Sequence, residues 1–326
     1  MTDREVLLLR RKLDLLLRTG KLLMESAADT NRIERNMKRV AAFMGIPEEK
    51  LHLDIRWTMI MVNVSDETHS FSKFQKCEKH GINMTTITEV SHLSWKAIEQ
   101  DYSLDQYEEE LERIARKPRN YMPYLVAIGA GFACGGFCIQ FGCDWVAFLY
   151  ASLAAIIGMR VRHKCNESGL NHYMGIAIAA FVSTILAWAS TLLPQEWTST
   201  PWHPLLLVPV YCAGCAFDQL CGRYARQLHS GGSCPGGKYL ADGFCHGVRY
   251  RLCVKLCHIA DFFPTISMVP HHAYWEYAIA AAISAMGFSM IFNIQRRLLW
   301  VVAIGGIIAV CTVLRQSGSK YRQHRS

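Results

Sequence analysis

Charged residues are missing from two long stretches of this 326-residue chain, although they occur at close intervals through its first 120 residues. Residues 122–141 and 173–193 contain no Lys, Arg, Asp or Glu. Apolar runs of about 20 residues are long enough to cross a bilayer as helices. The mean hydropathy of only +0.10 excludes a chain that is membrane-embedded throughout. The sequence therefore predicts a solvated region and a membrane region, with a boundary near Pro118.

The N-terminal region also lacks two kinds of signal. Arg4, Glu5 and Arg10 interrupt the apolar segment that a cleavable secretory signal needs, so we expect residues 1–120 to stay in the cytosol. The same region has no GxSxG, HExxH or P-loop pattern. These absences weigh against a membrane-anchored enzyme that uses its soluble domain, which remains the competing class of function.

The first 45 residues show helical periodicity. Leu9, Leu13 and Leu16 recur at a spacing that places them on one side of a helix, while basic residues fall elsewhere. Gly20 is a candidate break within this pattern. The segment predicts two cytosolic helices.

The rest of the N-terminal region predicts strands and one further helix. Apolar and polar residues alternate over 51–61, which is typical of a strand with one face on a core, and 82–90 is a second β-like stretch. The spacing of Ser103 and Gln106 is that of a capping box, and it opens a helix that we expect to end near Lys117. The predicted fold class is an N-terminal cytosolic α+β domain followed by an all-α polytopic membrane domain.

Basic residues in short loops orient the membrane spans, because such loops are retained on the cytosolic side. The loop after the second span contains Arg160 and Lys164, and the last two spans are joined through Arg296 and Arg297. Consistent alternation requires two more crossings between residues 204 and 270. The predicted spans are 122–141, 145–159, 173–193, 273–292 and 298–311.

Residues 211–253 do not fit this pattern, since they are rich in Cys, Gly and Arg and show no periodicity. One interpretation is a soluble insertion. A second is a zinc module, because Cys212 and Cys215 have ligand spacing, but no second tight pair completes a four-ligand set, and we predict no metal site. A third is a coding frame that slips near residue 210 and is restored near 254. A one-base shift can produce a span, an acidic loop and a second span there, which are the two missing crossings.

The end of the chain, residues 314–325, allows a similar shift. The thirteen Cys residues do not indicate a disulfide scaffold, since Cys134, Cys138 and Cys311 lie in apolar runs where a thiol packs as a small hydrophobe. Part of the +8 net charge depends on the shifted segments, so it predicts no nucleic-acid partner.

Several residues resemble the bacterial threonine/serine exporter family. They are Gly20, the run from Thr30 through Arg32 to Glu34, and Gly45, which resemble the family's N-terminal signature. The run from Gly287 to Asn293, followed by Arg296 and Arg297, resembles the start of the family's second half.

The resemblance implies proton-motive-force-driven export of threonine and serine, or of a dicarboxylate such as succinate, with no organic cofactor. It implies three regions: a cytosolic domain over 1–120, a first membrane half over 121–260 and a truncated second half over 261–326. The two halves occur fused or as separate subunits in relatives. We therefore expect a multi-pass bacterial inner-membrane protein whose partners are the bilayer, a small-molecule substrate and a second membrane subunit or further copies of itself. A non-transporting scaffold subunit is the third class of function.

Four residues are candidates for a substrate or ion pathway. Asp144, between two spans, and Glu276, about one turn inside a span, could bind a proton or a substrate amine, or could act as solvated or interfacial groups. Ser183 and Thr184 offer hydroxyls inside the third span, either to a substrate or to their own helix carbonyls. Arg32 and Glu34 could couple the soluble domain to the spans, or form a helix-surface pair.

Overall fold

The computed structural model describes residues 3–56, 58–65, 70–77, 81–189 and 273–323. They form two compact units: Met1–Asn120 with Phe292–Ile294, and Tyr121–Ile291 with Gln295–Ser326. The Cys-rich segment 211–253, the two crossings expected between 204 and 270, and the hypothesis of a shifted frame all concern residues outside the described part.

The first unit is an α+β domain, as predicted. It contains four α-helices and a three-stranded antiparallel sheet whose strands lie in chain order. The first two helices pack against the sheet, and the last two pack against those helices. Its elements are α1 (Asp3–Glu25), α2 (Thr30–Phe43), β1 (Leu51–Arg56), β2 (Met59–Ser65), β3 (Ser70–Lys76), α3 (Met84–Glu99) and α4 (Leu104–Arg116).

The strand predicted over 51–61 is two strands. The chain reverses between Arg56 and Met59, so that Leu51 pairs with Val64 and Arg56 with Met59. The reversal changes which alternate residues face the core: Ile60 and Val62 are fully buried, whereas the pattern had placed Met59 and Met61 inside. The strand β3 was not predicted, because its exposed, Lys-containing sequence lacks an apolar alternation.

The β-like stretch predicted over 82–90 is wrong, since this segment begins helix α3. β-branched Thr85, Thr86 and Ile87 favour a strand locally. However, the side chain of Asn83 accepts a hydrogen bond from the Thr86 N–H at 3.3 Å and caps a helix. Tertiary packing also favours the helix, because the buried residues Ile87, Val90, Leu93 and Ala97 follow helical spacing.

Gly20 does not break the first helix. It lies inside α1, where a Cβ would lie 2.7 Å from Met37 Sδ and 3.0 Å from Ile60 Cδ1. The glycine therefore allows α1 to approach α2 and the sheet, and the helix continues to Glu25. The turn after it uses Ala27, whose φ is +64°.

The capping box at the start of α4 is confirmed. The Ser103 hydroxyl accepts from the Gln106 N–H at 3.2 Å, and the Gln106 side chain accepts from the Ser103 N–H at 2.8 Å. On its buried side, α4 brings Tyr107 against α1, where the Tyr107 hydroxyl lies 3.0 Å from Thr19 Oγ1. Thr19 donates its own proton to the Leu15 carbonyl at 2.9 Å, so Tyr107 is the donor of the pair.

The second unit is helical throughout the part that the structure describes. The elements are α5 (Pro123–Gln140), α6 (Trp145–Glu167), α7 (His172–Trp188), α8 (Tyr274–Ile291) and α9 (Leu299–Gln323). Helix α8 packs against both α5 and α9, while α6 packs against α5 and α7.

Each predicted span corresponds to one of these helices, although α6 and α9 continue beyond the predicted ends. Among the described residues, three segments are long and apolar enough to cross a membrane, and Met174–Trp188 is a shorter apolar helix. The three are Pro123–Gln140, Trp145–Glu167 and Arg296–Val313.

The substitution Tyr107→Phe tests how much the buried Tyr107 hydroxyl contributes to the stability of the fold. Burial raises the pKa of Tyr107 to about 12. The ordinary value is about 10. The folded state therefore holds this proton more tightly, and its stabilising contribution is present below about pH 10 and is lost as the pH rises toward 12.

At neutral pH we expect Tyr107→Phe to cost about 1 kcal/mol, because one buried hydrogen bond is lost while Thr19 keeps its bond to Leu15. The stability gap between wild type and variant should narrow between pH 10 and 12. Thermal denaturation of the full chain in detergent measures both effects. A stability difference between wild type and variant that stays constant from pH 10 to 12 would contradict the raised pKa of Tyr107.

Candidate functional site

The two candidate carboxylates of the second unit lie at helix N-termini. Asp144 is the N-cap of α6, and its side chain accepts from the Ala147 N–H at 2.7 Å. Glu276 lies in the first turn of α8 and accepts from the Ala273 N–H at 3.1 Å. Both therefore stabilise N–H groups that have no partner inside the helix, at the positive end of the helix dipole. A role in a pathway remains a prediction for each.

The two candidate hydroxyls of α7 are buried and bond to their own helix. Ser183 donates to the Ala179 carbonyl at 2.6 Å, and Thr184 donates to the Ala180 carbonyl at 2.6 Å. This is the usual way in which Ser and Thr are accommodated in apolar helices. Their use by a substrate would require these bonds to be exchanged.

Glycines in α5 make the closest helix contacts of the second unit. Gly129 and Gly136 face α8: a Cβ on Gly136 would lie 2.7 Å from the Ala280 carbonyl oxygen, and one on Gly287 would overlap the Gly129 carbonyl oxygen. Gly131 faces α6, where a Cβ would lie 2.8 Å from the Ser152 carbonyl oxygen. Residues without side chains allow such backbone approach. The packing of α5 against α6 and α8 therefore depends on these glycines.

These contacts also show that α8 runs antiparallel to α5. The start of α5 lies beside the end of α8, because a Cβ on Gly129 would lie 3.0 Å from Met290 Cβ. The end of α5, at Gly136, lies beside the first half of α8, at Ala280. Asp144 and Glu276 therefore lie at one end of the helix bundle.

Sequence reasoning missed a polar bridge between α5 and α8. Gln140 Nε2 donates to Ser284 Oγ at 2.8 Å, and Ser284 donates to the Ala281 carbonyl at 3.1 Å. Ser284 is 4% exposed. The available signal was a lone amide at the end of an apolar run, since an amide in a membrane helix requires a partner.

A second missed residue is Ser152 of α6. Its side chain points at Gly135 of α5, where an added Cβ would overlap its hydroxyl oxygen. The Ser152 hydroxyl is buried and has no hydrogen-bond partner among the described residues. An unpaired buried hydroxyl is costly in an apolar environment. The Ser152 hydroxyl is one of two such buried groups among the described residues, the other being the Tyr121 hydroxyl.

Basic residues cluster at the opposite end of the same bundle. The last turns of α6 contain Arg160 and Lys164, and the connection between α8 and α9 contains Arg296 and Arg297. The Arg296 guanidinium lies 5.6 Å from the ring centroid of Tyr121, just before α5. Asp144 and Glu276 thus lie at one end of the bundle, and these four basic residues lie at the other.

The signature residues of the first unit surround helix α2. Thr30 is its first residue, and Gly45 follows its C-terminal cap with a φ of +74°, a conformation that favours glycine. Arg32 is exposed. Glu34 pairs with Lys38 at 3.0 Å, so the helix-surface pair is Glu34–Lys38 and not Arg32–Glu34.

Asn293 supplies a polar anchor inside the first unit. Its side chain donates to Asn83 Oδ1 at 2.7 Å and accepts from the Asn120 N–H at 2.8 Å. Its carbonyl accepts from Thr85 Oγ1 at 2.6 Å, and the preceding carbonyl, of Phe292, accepts from the Met84 N–H at 3.0 Å. The segment between α8 and α9 therefore completes the start of α3.

The sequence profile of the threonine/serine exporter family, ThrE, matches residues 14–209, which is more than half of the chain. This chain belongs to that family. The match includes most of the first unit and helices α5 to α7, whereas α8 and α9 lie beyond it. The resemblance of the N-terminal signature is thereby confirmed. The chain is accordingly a bacterial membrane protein of a transporter family.

Two relatives are named as succinate transporter subunits, both called YjjP. The chain is 24% identical over 193 residues to the protein of Klebsiella aerogenes, which covers 57% of this chain and 72% of the relative. It is 23% identical over 201 residues to that of Escherichia coli K12, covering 60% and 76%. An uncharacterized protein of Haemophilus influenzae is 22% identical over 128 residues, covering 39% of this chain and 42% of that protein. No solved structure matches the chain.

Substitutions of Asn293 separate its backbone role from its side-chain role. Its φ is +54°, which an alanine adopts at a cost of about 1 kcal/mol or more and a glycine without cost. Asn293→Gly loses only the side-chain bonds, so we expect a smaller loss of thermal stability than for Asn293→Ala.

Asn293→Asp keeps an acceptor for Asn120 but turns the donor to Asn83 into a second acceptor. We expect it to be less stable than wild type, because two oxygens then face each other. Thermal denaturation of the purified full chain ranks the variants. Equal stability of Asn293→Gly and Asn293→Ala would show that the left-handed backbone is not maintained.

Proposed function

We propose that this chain is an inner-membrane secondary transporter that exports a small polar metabolite, threonine and serine or a dicarboxylate such as succinate, driven by the proton motive force. The observation that carries the proposal is the family match, which runs continuously through the first unit into three membrane helices. The names of the two YjjP relatives support the dicarboxylate class as one of the two alternatives.

The basic residues in short connections of the second unit support a cytosolic first unit. Basic loops are retained on the cytosolic side of a membrane protein. The end with Arg160, Lys164, Arg296 and Arg297 would then face the cytosol. In sequence, the first unit directly precedes Tyr121 and includes Phe292–Ile294. Asp144 and Glu276 would lie at the outer end.

Neutral polar groups on two faces of α5 are the proposed contacts for the solute. Gln140 and Ser284 bridge α5 and α8 on one face. On the other face, the Ser152 hydroxyl lies between α5 and α6 without a hydrogen-bond partner among the described residues. Hydroxyl and amide groups can exchange hydrogen bonds with a polar solute without the cost of burying a fixed charge. Asp144 and Glu276, at one end of the bundle, are the proposed proton-binding groups.

A second subunit or a second copy completes the proposed transporter. Both YjjP relatives are named as subunits. Helices α8 and α9 lie beyond the family match, and the run from Gly287 to Asn293 resembles the start of the family's second half. Transporters commonly place their substrate site at the interface between two repeats. We therefore expect the working assembly to contain another membrane half.

The function is tested by efflux from cells that lack their own exporters of these solutes. The cells express the chain alone or with a candidate second subunit, and are loaded with a threonine-containing dipeptide or with succinate. Uncoupler-sensitive export of one solute is the expected result, and it identifies the substrate class. Intact membrane expression without flux of either, with or without the partner, would reject transport and favour an enzyme or a scaffold subunit.

The pathway is tested with two matched serine variants. Ser152→Ala removes the unpaired hydroxyl, whereas Ser289→Ala removes a buried hydroxyl that already bonds to the Ala285 carbonyl at 2.9 Å. We expect Ser152→Ala to slow export by up to about tenfold, the value of one hydrogen bond to the solute, and Ser289→Ala to leave it nearly unchanged. Equal rates for both variants would remove Ser152 from the pathway.

A further inference from the structure

Arg39 occupies a polar junction between α2 and α3 in the first unit. Its Nη1 atom donates to Ser94 Oγ at 2.8 Å and to Asn36 Oδ1 at 3.3 Å. Ser94 in turn donates to Asn36 Oδ1 at 3.0 Å. Ser94 and Asn36 are 0% and 3% exposed, so they are fixed by the core. One edge of the guanidinium is therefore positioned by buried, uncharged groups.

The face of the same guanidinium lies on an aromatic ring. Arg39 Cζ is 3.8 Å from the ring centroid of Trp95, and Trp95 is 52% exposed. Stacking of this kind fixes the plane of the guanidinium and compensates part of its charge. The Nε and Nη2 atoms have no hydrogen-bond partner among the described residues, which leaves a two-donor edge available beside the ring.

Arg39 has no carboxylate partner in the described part of the chain, which sets it apart from Lys38. Lys38, one residue earlier, pairs with Glu34 and with Glu48, each at 3.0 Å. Burial lowers the pKa of Arg39, and the charge of Arg35 lowers it further. The fold therefore keeps two guanidinium groups close together without a carboxylate beside Arg39, which is unfavourable unless an anion is supplied from outside.

The guanidinium of Arg35 adds further hydrogen-bond donors to this surface. Arg35 Nε donates to the Asn31 carbonyl at 3.3 Å, which leaves its two terminal nitrogens uncommitted among the described residues. Arg32, Arg35 and Arg39 follow the spacing i, i+3 and i+7, which places them along one face of α2. The resulting surface contains positive charge, directed donors and one exposed indole.

We propose that Arg35 and Arg39, with Trp95 beneath Arg39, form a binding site for an oxyanion, a carboxylate or a phosphate group. The fork of guanidinium donors matches two oxygens of such a group, and charge-assisted pairs of this geometry are the strongest hydrogen bonds available to a protein surface. The buried contacts of Arg39 reduce the entropy that binding would cost. The site is independent of the proposed transport, because it lies in the first unit and needs no flux.

The oxyanion could come from a soluble metabolite or from a lipid headgroup, and two arms of one experiment distinguish them. In the first arm, the purified full chain in neutral detergent is titrated calorimetrically with sodium succinate and with sodium phosphate, against sodium chloride of equal ionic strength. In the second arm, native mass spectrometry compares retention of dioleoyl phosphatidylglycerol and dioleoyl phosphatidylcholine. Saturable binding in the first arm identifies a soluble anion, and selective retention of phosphatidylglycerol identifies a headgroup.

Three variants test whether the binding seen in either arm depends on Arg35 and Arg39. Arg39→Gln removes the positioned guanidinium, and we expect affinity to fall by about tenfold or more, the value of hydrogen bonds to a charged group. Arg35→Gln removes only one hydrogen bond, to a backbone carbonyl, so it tests the site without destabilising the fold. We expect its affinity for the anion to fall by about two- to fivefold. Arg56→Gln is the control, since Arg56 pairs with Asp54 at 2.9 Å on β1.

The proposal is supported if Arg39→Gln and Arg35→Gln lose binding while Arg56→Gln retains it, at unchanged thermal stability for Arg35→Gln. It is overturned if no probe binds the wild-type chain more tightly than chloride or phosphatidylcholine. It is equally overturned if Arg56→Gln weakens binding as much as the other two variants, because the effect would then be net charge alone.

Discussion

The contact between Gly129 of α5 and Gly287 of α8 is the constraint on which the membrane unit depends. A Cβ on Gly287 would overlap the Gly129 carbonyl oxygen, and one on Gly129 would lie 3.1 Å from the Gly287 carbonyl oxygen. Helices in a bilayer gain little from the hydrophobic effect and associate through close packing and hydrogen bonds. This approach brings Gln140 within reach of Ser284. The packing of α6 against the other face of α5 leaves the Ser152 hydroxyl beside Gly135.

The same contact joins parts of the chain that the family comparison separates. Helix α5 lies inside the matched range 14–209, whereas α8 lies beyond it, yet both belong to one compact unit. Asn293, which follows α8, completes the start of α3 in the first unit through side-chain and backbone bonds. Residues after the matched range therefore contribute to both units: α8 packs against α5 in the second unit, and Asn293 binds the start of α3 in the first.

The sequence predicted the features that depend on local composition. Apolar runs located α5 to α9, and the Ser103 capping box located α4, because both signals act through neighbouring residues. The wrong predictions concern segments whose structure depends on contacts with distant residues. The strand over 51–61 reverses between Arg56 and Met59, and the β-branched run in α3 is helical because its buried residues follow helical spacing. Gly20 is a packing residue within a helix.

Of the site, Asp144, Ser183, Thr184 and Glu276 were found as polar groups in apolar sequence. Gln140 offered only its position at the end of an apolar run as a signal. Ser152 and the junction of Arg39 with Trp95 could not be found, since their significance depends on which residues the fold brings beside them.

The most direct test is the unfolding free energy of three Gly→Val variants of the purified full chain in detergent. Gly129→Val and Gly287→Val each place a side chain where the structure has backbone, whereas a Cβ on Gly305 of α9 meets no atom within 4 Å. The substitution is the same in all three, so its effect on helix propensity is matched. We predict that Gly129→Val and Gly287→Val are each about 1–3 kcal/mol less stable than Gly305→Val, the usual cost of overpacking. Equal stability of the three variants would contradict the close approach of α5 and α8.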